Sequence, residues 1–431
     1  MGDLPVYFEQ RSIGTVRVDS KGPAFAYDRT WLTTRGAFPI STTMPLGPEP
    51  FGPALFLPWA ANLLPESQQL RAVGQFLGMS PNDVVGLLSE IGRDTAGALS
   101  IGKPGGTSSV YWRPLETELE LERVIEELPS KPFLVGDEGV SMSLAGVQSK
   151  LAVGVDDRGQ ICIPTVGSPS THILKPDSER LPGGVHNEAF CLILAKRLGL
   201  PAVEITTGKA GRRIFLLTKR YDRAGGAGRW RRLHQEDFCQ ALGKPPSAKY
   251  EVNQTGVPGP TLREMFDLAR RLMAPTDILR LLDMVIFNVI TCNTDAHAKN
   301  YSIMITGVGA SVAPIYDVMC GQAWRHVTKH LAMKIAEKTR GEHLAAKDWD
   351  RFARECGLGA KQVLARVRAL AESAKAEASA TVAEITAMPA GGHPILDEVR
   401  TLIERRARTL VAQLDDTKVE VATIEPVLAA S

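Results

Sequence analysis

The alternation of apolar and polar residues divides the chain into a strand-rich first part and a helical second part. Short apolar runs at Pro5–Phe8 and Ile13–Val18 predict strands, and residues 66–93 show the spacing of helices. Between residues 141 and 222, one predicted helix, Val185–Leu198, is surrounded by predicted strands. These strands are Leu151–Val155, Ile161–Pro164, His172–Leu174 and Ile214–Thr218.

After Leu233 the pattern is mostly helical. The predicted helices are His234–Leu242, Thr261–Met273, Thr276–Thr291, Asp348–Cys356, Ala360–Ile385 and Ile395–Leu414. A mixed sheet with one helix, followed by a helical body, is the layout of a bilobal kinase, although many other α+β proteins share it. The pattern predicts an α+β fold with a β-rich amino-terminal subdomain and a helical carboxyl-terminal lobe. We expect units at residues 1–130, 131–227 and 228–415, and a loose tail at 416–431.

The composition is that of a soluble globular protein, with 44% hydrophobic and 23% charged residues. The formal net charge of +2 argues against a whole-surface nucleic-acid binder. The six cysteines include no CxxC pair, which argues against that type of zinc or redox site. The sequence shows no secretory leader and no apolar run of about 18 residues, so we expect a cytoplasmic protein without membrane contact.

One glycine-rich motif is a poor candidate for chemistry. Residues 97–104 match a Walker A loop except at Pro104, where magnesium needs a Ser or Thr hydroxyl. The glycines that follow do not open a helix, so the helix N-terminus that cradles phosphates is missing. We therefore expect a surface turn here.

The segment Asn293–Asn300 carries the strongest chemical signal. Asp295 and Asn300 are five positions apart, which is the D-x-x-x-x-N spacing of protein-kinase catalytic loops. The aspartate must orient the attacking hydroxyl and accept its proton, and the asparagine must place its carbonyl oxygen on magnesium. Lys299 is predicted to lie against the transferred phosphate and offset its charge. His297 is predicted to line the ATP site and to fix the loop rather than move protons.

Two further positions complete the pattern of a magnesium–ATP site. Asp317 follows a predicted hairpin 22 residues after Asp295 and supplies a second hard oxygen ligand for magnesium. Lys175 ends a strand in the manner of the phosphate-binding lysine of kinases, and Glu188 on the next helix is its natural ion-pair partner. Taken alone, these two are better explained as a strand-end lysine and a surface glutamate, but their order and placement relative to Asp295 favour the functional interpretation.

Several segments together resemble the HipA family, the kinase toxins of bacterial HipBA toxin–antitoxin pairs. They occur in family order from about residue 4 to residue 340, and the amino-terminal Val6-Tyr7 and Phe25–Asp28 also resemble that family's first subdomain. The segments are Met142–Lys150, Thr171–Lys175, Asn187–Cys191, Lys219–Arg223, His234–Gln240, Asp295–Ser302 and Tyr316-Asp317.

The resemblance implies a Ser/Thr protein kinase of two-lobed, kinase-like fold that uses ATP and Mg²⁺. Asp295 would be the catalytic base, with Asn300 and Asp317 as the magnesium ligands. The ATP phosphates would be covered by the loop Ala145, Gly146, Val147, Gln148, Ser149 and Lys150, and the adenine would lie against Lys219, Arg220 and Tyr221, with Gln235 nearby. This loop has one glycine where ordinary kinases have three, and Lys219 stands where well-known members carry an acid.

The resemblance also implies regulation and partners. Ser143 lies where the family carries an autophosphorylated serine, and a phosphate there would repel the nucleotide and switch the enzyme off. The alternative is a turn serine that caps its own backbone. A HipB-like helix-turn-helix antitoxin would bind the kinase and contact operator DNA, and the protein substrate would be an aminoacyl-tRNA synthetase, glutamate–tRNA ligase first.

Two questions stay open at this point. Residues 209–232 hold nine basic residues against one acid, which fits either a nucleic-acid-facing surface or a solvated hairpin beside the hinge. The catalytic pattern is equally compatible with a small-molecule phosphotransferase on a kinase-like scaffold, and less so with a non-catalytic corepressor.

Overall fold

A four-stranded antiparallel sheet with helices packed against it forms the amino-terminal part of the chain. The computed structural model describes residues 3–415. Strand order in the sheet is β3-β2-β1-β4, and Val6, Ile13 and Phe25 are fully buried beneath it. The elements are β1 (Leu4–Phe8), β2 (Arg11–Asp19), β3 (Gly22–Tyr27), α1 (Arg29–Leu32), α2 (Pro53–Ala61), α3 (Ser67–Leu77), α4 (Val84–Ile91) and β4 (Leu99–Ile101).

The Walker-like segment does not form a surface turn, and that prediction is wrong. Its centre is β4, whose three residues are all buried and which pairs with β1 through Val6–Ile101, Tyr7–Ser100 and Phe8–Leu99. Apolar Ala98, Leu99 and Ile101 complete the core of the first sheet. The glycines at its ends, which suggested phosphate binding, allow the chain to turn with positive φ at Gly97 and Gly102.

A six-stranded antiparallel sheet forms the second part, in the order β5-β7-β6-β8-β10-β9. Its elements are β5 (Trp112–Pro114), α5 (Glu118–Glu127), β6 (Leu151–Val155), β7 (Ile161–Pro164), β8 (His172–Pro176), α6 (Gly184–Arg197), β9 (Ile205–Ala210) and β10 (Arg213–Lys219). Because β5 pairs with β7 and α5 packs on β9, these elements belong with this sheet rather than with the first unit, where the predicted boundary at residue 130 placed them.

The third part is mainly helical, as predicted. Its elements are β11 (Arg223–Gly226), β12 (Arg229–Arg232), β13 (Gln235–Asp237), α7 (Phe238–Ala241), α8 (Leu262–Leu272), α9 (Pro275–Ile290), β14 (Ser302–Thr306), β15 (Gly309–Val312), α10 (Ala346–Glu355), α11 (Ala360–Thr386) and α12 (Ile395–Asp415). The helix predicted from His234 starts only at Phe238, because Gln235–Asp237 pairs with β14 as a strand. The predicted α+β fold class is confirmed; the predicted tail at 416–431 lies outside the described residues.

Helix α6 connects the sheet to the helical lobe. Its residues from Gly184 to Ala195 are all buried, since β9 and β10 pack on one side of it and α11 and α12 on another. An apolar helix surface on every side is what such a position requires. On α11, small buried residues recur at Ala371, Ala374 and Ala378, which lets neighbouring helices approach closely. Glu188 is therefore held on a rigid element.

A buried ionic cluster links the amino-terminal part to the start of the helical part. Asp94 accepts hydrogen bonds from Arg223 at 2.8 Å and from Ser170 at 2.6 Å. Asp222 pairs with Arg220 at 2.7 Å, and Arg232 lies 3.3 Å from Asp94. Burial alone would raise the pKa of Asp94, but the three surrounding guanidinium groups outweigh it and hold this pKa well below its usual range.

This cluster changes the interpretation of the basic segment 209–232. The side chains of Arg220, Arg223 and Arg232 are at most 2% exposed, so they are not available to a nucleic acid. Several of their other N–H groups donate to backbone carbonyls such as those of Thr95 and Gly97. Three of the nine positive charges that suggested a binding surface are thus internal.

All six cysteines are unpaired and buried, as their predicted core role requires. Among residues 3–415, no helix combines the length and the apolar character needed to cross a lipid bilayer.

The ionic cluster gives a testable prediction about stability. Asp94→Asn leaves the buried guanidinium groups without their shared anion, so the free energy of unfolding should fall by about 3–5 kcal/mol. Because the pKa of Asp94 is depressed by folding, its contribution is present above about pH 4 and is lost as the pH falls further. Urea unfolding at pH 7 measures the change. Asp3→Asn, which removes an exposed partner of Arg17, is the control and should hardly move the midpoint; equal midpoints for the two variants would contradict the prediction.

Candidate active site

The predicted catalytic loop begins where α9 ends. Cys292, with φ of 54°, turns the chain out of the helix, and Asn293 then accepts a hydrogen bond from the backbone N–H of Asp295 at 3.1 Å. The side-chain amide of Asn300 donates to the carbonyl of Asp295 at 2.9 Å. The five-residue spacing thus closes a small loop on itself, and it presents the Asp295 carboxylate at the protein surface.

The carboxylate of Asp295 has a partner that the sequence did not suggest. The hydroxyl of Tyr250 donates to its Oδ1 at 2.5 Å. Burial raises the pKa of Asp295; the hydrogen bond from Tyr250 and the charge of Lys249 oppose this effect, and Asp317 and Glu66 add to it. The negative charge of Asp317 thus acts on Asp295, which is consistent with the predicted common site.

Lys175 is bonded to its predicted partner Glu188 and also to Asp317. Its Nζ lies 2.6 Å from Glu188 Oε1 and 2.6 Å from Asp317 Oδ1. Burial alone would raise the pKa of Asp317, but Lys175 and Lys150 outweigh it and hold that pKa well below its usual range. The surface-glutamate alternative is wrong for Glu188, whose side chain is 2% exposed.

The oxygens of Asn300 and Asp317 fit a magnesium ion. Asn300 uses its amide N–H on the carbonyl of Asp295, and its Oδ1 accepts no hydrogen bond from residues 3–415. Asp317 is an ionised carboxylate with 36% of its side chain exposed. Within the described range no cluster of three or more His, Cys, Asp or Glu forms a metal cage. Two protein oxygens are nevertheless a normal donor set for magnesium, because substrate phosphates and water complete its shell.

The predicted phosphate-covering loop, residues 145–150, is held by the amino-terminal part of the protein. The N–H of Glu66 donates to the carbonyl of Gly146 at 3.1 Å, and the side chain of Gln69 donates to the carbonyl of Val147 at 2.9 Å. Gly146 has φ of 111°, and a Cβ there would lie 2.6 Å from the Nζ of Lys150. Lys150 bonds the carbonyl of Ala145 and folds the loop inward. Burial lowers the pKa of Lys150 to about 8. Gln148 and Ser149 are partly buried in the same loop.

The predicted adenine-binding residues separate into two groups. Tyr221 donates to Gln235 at 2.9 Å and stacks on Tyr316 with ring centroids 5.6 Å apart, so these residues form one wall. By contrast, Lys219 points to Glu204 at 3.0 Å, and the side chain of Arg220 is enclosed in the ionic cluster. The structure does not bring the side chains of Lys219 and Arg220 into the site. The prediction that they contact ATP therefore applies only to their backbone atoms.

Lys299 does not have the position expected of a phosphate-neutralising residue. Its Nζ donates to Asp237 at 2.8 Å, to Asn62 Oδ1 at 2.6 Å and to the carbonyl of Asn62 at 3.3 Å. An ammonium group has three donors, and all three are used here. Lys299 therefore fixes the catalytic loop to α7 and to the amino-terminal part.

His297 and Ser143 are both buried. Burial lowers the pKa of His297 well below its ordinary value, so the ring is neutral and packs edge-on against Tyr250 as a loop support. The Ser143 hydroxyl donates to the carbonyl of Leu63 at 2.7 Å, and the residue is 0% exposed.

Sequence reasoning missed several residues of this site. Tyr250, Asn62 and Glu66 touch its predicted members but lie in segments without a recognised motif. Asp237 lies in a segment that resembles the family, but no role was assigned to it. Their roles depend on contacts between residues up to 237 positions apart, which no local pattern encodes.

Comparison with known proteins identifies two family domains along the chain. The HipA N-terminal domain matches residues 4–102, and the HipA-like C-terminal domain matches residues 142–378. The protein named "Putative kinase Y4mE" of Sinorhizobium fredii is 39% identical over 394 residues, which is 89% of this chain and 92% of that protein. The "Serine/threonine-protein kinase toxin HipA" of Shewanella oneidensis is 32% identical over 346 residues, covering 78% of this chain and 79% of that one.

A solved structure also matches nearly the whole chain. It is a chain from the complex of the Shewanella oneidensis MR-1 toxin–antitoxin system, described as HipA, HipB and its operator DNA. The TM-score is 0.83 at 27% identity, covering 96% of this chain and 99% of that chain. The resemblance inferred from the sequence is confirmed.

The contacts of Lys299 predict a mainly structural effect of its loss. Lys299→Met leaves the buried carboxylate of Asp237 unpaired, so the free energy of unfolding should drop by about 3–5 kcal/mol in urea titrations. Lys219→Met, which removes only an exposed pair with Glu204, is the matched control. A Lys299→Met protein with the wild-type midpoint that had lost phosphotransfer alone would instead favour the phosphate-neutralising role.

Proposed function

The chain belongs to the HipA family, and on that premise we propose that it is an ATP-dependent Ser/Thr protein kinase and the toxin of a toxin–antitoxin pair. The observation that carries the proposal is the joint convergence of Asp295, Asn300 and Asp317 with the Lys175–Glu188 ion pair. A kinase needs a base for the acceptor hydroxyl, oxygens for a metal and a fixed cation for the phosphates, and this site offers each of them.

In the proposed reaction the protein mainly positions groups. Asp295 orients the hydroxyl of the acceptor residue and takes its proton as the oxygen attacks the γ-phosphorus of ATP and ADP leaves. Lys175, held by Glu188, lies against the α- and β-phosphates. Asn300 and Asp317 would hold Mg²⁺, which neutralises charge on the phosphates when bound. Tyr221 and Gln235 would line the adenine side.

The partners follow by analogy with the relatives. A HipB-like helix-turn-helix antitoxin would bind this chain and contact operator DNA on its behalf. The proposed protein substrate is a translation component, with an aminoacyl-tRNA synthetase, glutamate–tRNA ligase, as the first one to test. The fold similarity to a chain from a HipA–HipB–operator complex supports the antitoxin part of this proposal.

The role of Asp295 is tested by one substitution. Asp295→Asn keeps the shape and the hydrogen bonds to the loop but cannot accept a proton, so phosphotransfer should fall by about 10²–10⁴-fold. The assay follows label from γ-labelled ATP into protein, and fluorescent ADP binding with thermal unfolding should stay at wild-type values. Asp397→Asn, an exposed acid on α12, is the control. Label that accumulates on a soluble metabolite would favour the small-molecule alternative, and wild-type transfer by Asp295→Asn would refute the assignment of the base.

Autophosphorylation of Ser143 would act as an off switch. The Ser143 hydroxyl donates to the carbonyl of Leu63, and the Ser143 backbone N–H donates to the carbonyl of Asp94 at 3.0 Å. The segment around Ser143 must therefore leave this position before the hydroxyl reaches the predicted catalytic loop. A phosphate adds about −1.5 to −2 charges and cannot return to a site that is fully buried. The segment leading into the phosphate-covering loop would then stay detached.

This switch predicts that phosphorylation of Ser143 and loss of nucleotide binding occur together. Phosphopeptide mapping after incubation with ATP should find Ser143 modified, and the modified fraction should lose fluorescent ADP binding. Ser143→Ala should stay unmodified and keep binding, whereas Ser141→Ala, whose hydroxyl bonds Glu90 nearby, should be labelled like the wild type. An unmodified Ser143 peptide from active enzyme would end the idea.

A further inference from the structure

Three consecutive residues, Lys249, Tyr250 and Glu251, contact different parts of the protein. Lys249 pairs with Glu66 of the amino-terminal part at 2.7 Å. Tyr250 donates to Asp295. Glu251 accepts a hydrogen bond from the backbone N–H of Lys334 at 2.6 Å, and Lys334 follows the predicted magnesium ligand Asp317 in the sequence. The segment therefore connects the regions that the proposed phosphotransfer requires, although it carries no recognised motif.

The hydrogen bond from Tyr250 makes the two oxygens of the Asp295 carboxylate different. Oδ1 accepts the phenol hydroxyl at 2.5 Å, and Oδ2 accepts no hydrogen bond from the described part of the chain. A carboxylate can accept about four hydrogen bonds, so one such bond fixes its orientation without using its capacity. Asp295 as a whole is an exposed residue, and no described group bonds Oδ2, so this oxygen has capacity left for an incoming hydroxyl.

Tyr250 is itself held from several directions. Its carbonyl accepts from the side chain of Asn253 at 3.1 Å, and the N–H of the next residue donates to the carbonyl of Ala332 at 3.1 Å. A Cβ at Gly259 would lie only 1.9 Å from the carbonyl oxygen of Tyr250, so the backbone at Gly259 packs directly against Tyr250. The ring packs edge-on against His297 with centroids 5.1 Å apart.

We propose that Tyr250 is a positioning residue for the acceptor step, which holds one oxygen of Asp295 so that the other meets the acceptor hydroxyl. The inference rests on the proposed kinase function. A phenol that swung away to admit substrate would be the alternative, but the backbone contacts on both sides of Tyr250 and the ring contact with His297 fix it in place. Because transfer rates depend steeply on the alignment of reacting groups, one orienting bond at the base has a kinetic effect without contacting substrate.

The test separates rate from binding. Tyr250→Phe keeps the ring packing and removes only the hydroxyl, so kcat for protein phosphorylation should fall by about 10- to 100-fold. The KM for ATP and the affinity for fluorescent ADP should change by less than about 2-fold, because the nucleotide-side residues are untouched. Tyr250→His retains a ring N–H donor and should recover part of the lost rate. Tyr111→Phe, which removes a phenol hydroxyl from an exposed residue outside the site, is the matched control and should show no such loss of kcat.

Each outcome has a separate meaning. An unchanged or increased kcat in Tyr250→Phe overturns the inference, and an increase would identify Tyr250 as a gate. A parallel loss of ADP affinity in Tyr250→Phe also overturns the inference, because the hydroxyl would then support the whole site and not the acceptor step alone. A rate for Tyr250→His no better than that of Tyr250→Phe would show that a hydrogen-bond donor on this side chain does not orient Asp295. If the wild type transfers no phosphate to protein while binding ADP, the proposed function fails, and that failure is distinguishable because it does not involve a variant.

Discussion

The site depends on one ammonium group that two carboxylates share. Lys175 comes from β8, Glu188 from the buried helix α6, and Asp317 from the chain after β15, and the two N–O distances are both 2.6 Å. An ion enclosed in protein is stable only when its charge and hydrogen bonds are satisfied, so none of the three residues can move alone without cost. The sheet, the central helix and the segment that carries the proposed magnesium ligand are thereby fixed relative to each other, and α11 and α12 pack against α6.

The amino-terminal part is a structural component of this site. The connection between α2 and α3, residues 62–66, touches it at several points. Asn62 accepts two hydrogen bonds from Lys299 of the catalytic loop, Leu63 accepts from Ser143, and Glu66 bonds both Gly146 and Lys249. The loop predicted to cover the phosphates, residues 145–150, has a single glycine. These contacts hold its backbone in place, whereas the glycine-rich loop of ordinary kinases is shaped by its own turns.

The predictions that succeeded were those with a local physical signal. The helix ends, the strands with continuous apolar runs and the α+β class follow from periodicity and capping. The common site of Asp295, Asn300 and Asp317 stays a prediction from their spacing. Strand β9 was missed because Ile205–Ala210 has a weak apolar pattern, and Gly208 lies under the ring of Phe215 there. The assigned roles at the site remain predictions, whereas the geometry adds which groups are within reach of one another.

The side-chain roles predicted for Lys299 and Arg220 were wrong for a different reason. Lys299 has a charge that suggests contact with phosphate, but its partners lie far away in sequence, at Asp237 and Asn62. Arg220 pairs with its near neighbour Asp222, and the burial of this pair depends on contacts with the distant Thr95. The same limit applies to Tyr250 and Asp295, which are 45 positions apart. A sequence shows the sign of a charge, and only the folded chain shows where its counter-charge lies.

The buried ionic cluster also imposes an order on how the polypeptide matures at the ribosome. Asp94 leaves the ribosome 129 residues before Arg223 and 138 before Arg232. At ordinary elongation rates this delay amounts to roughly 6 to 26 seconds for the first of these arginines. During that interval the carboxylate must stay hydrated, so the first sheet cannot be sealed against the second. The two sheets of the nascent protein can therefore close on each other only after the segment from Arg220 to Arg232 has been translated.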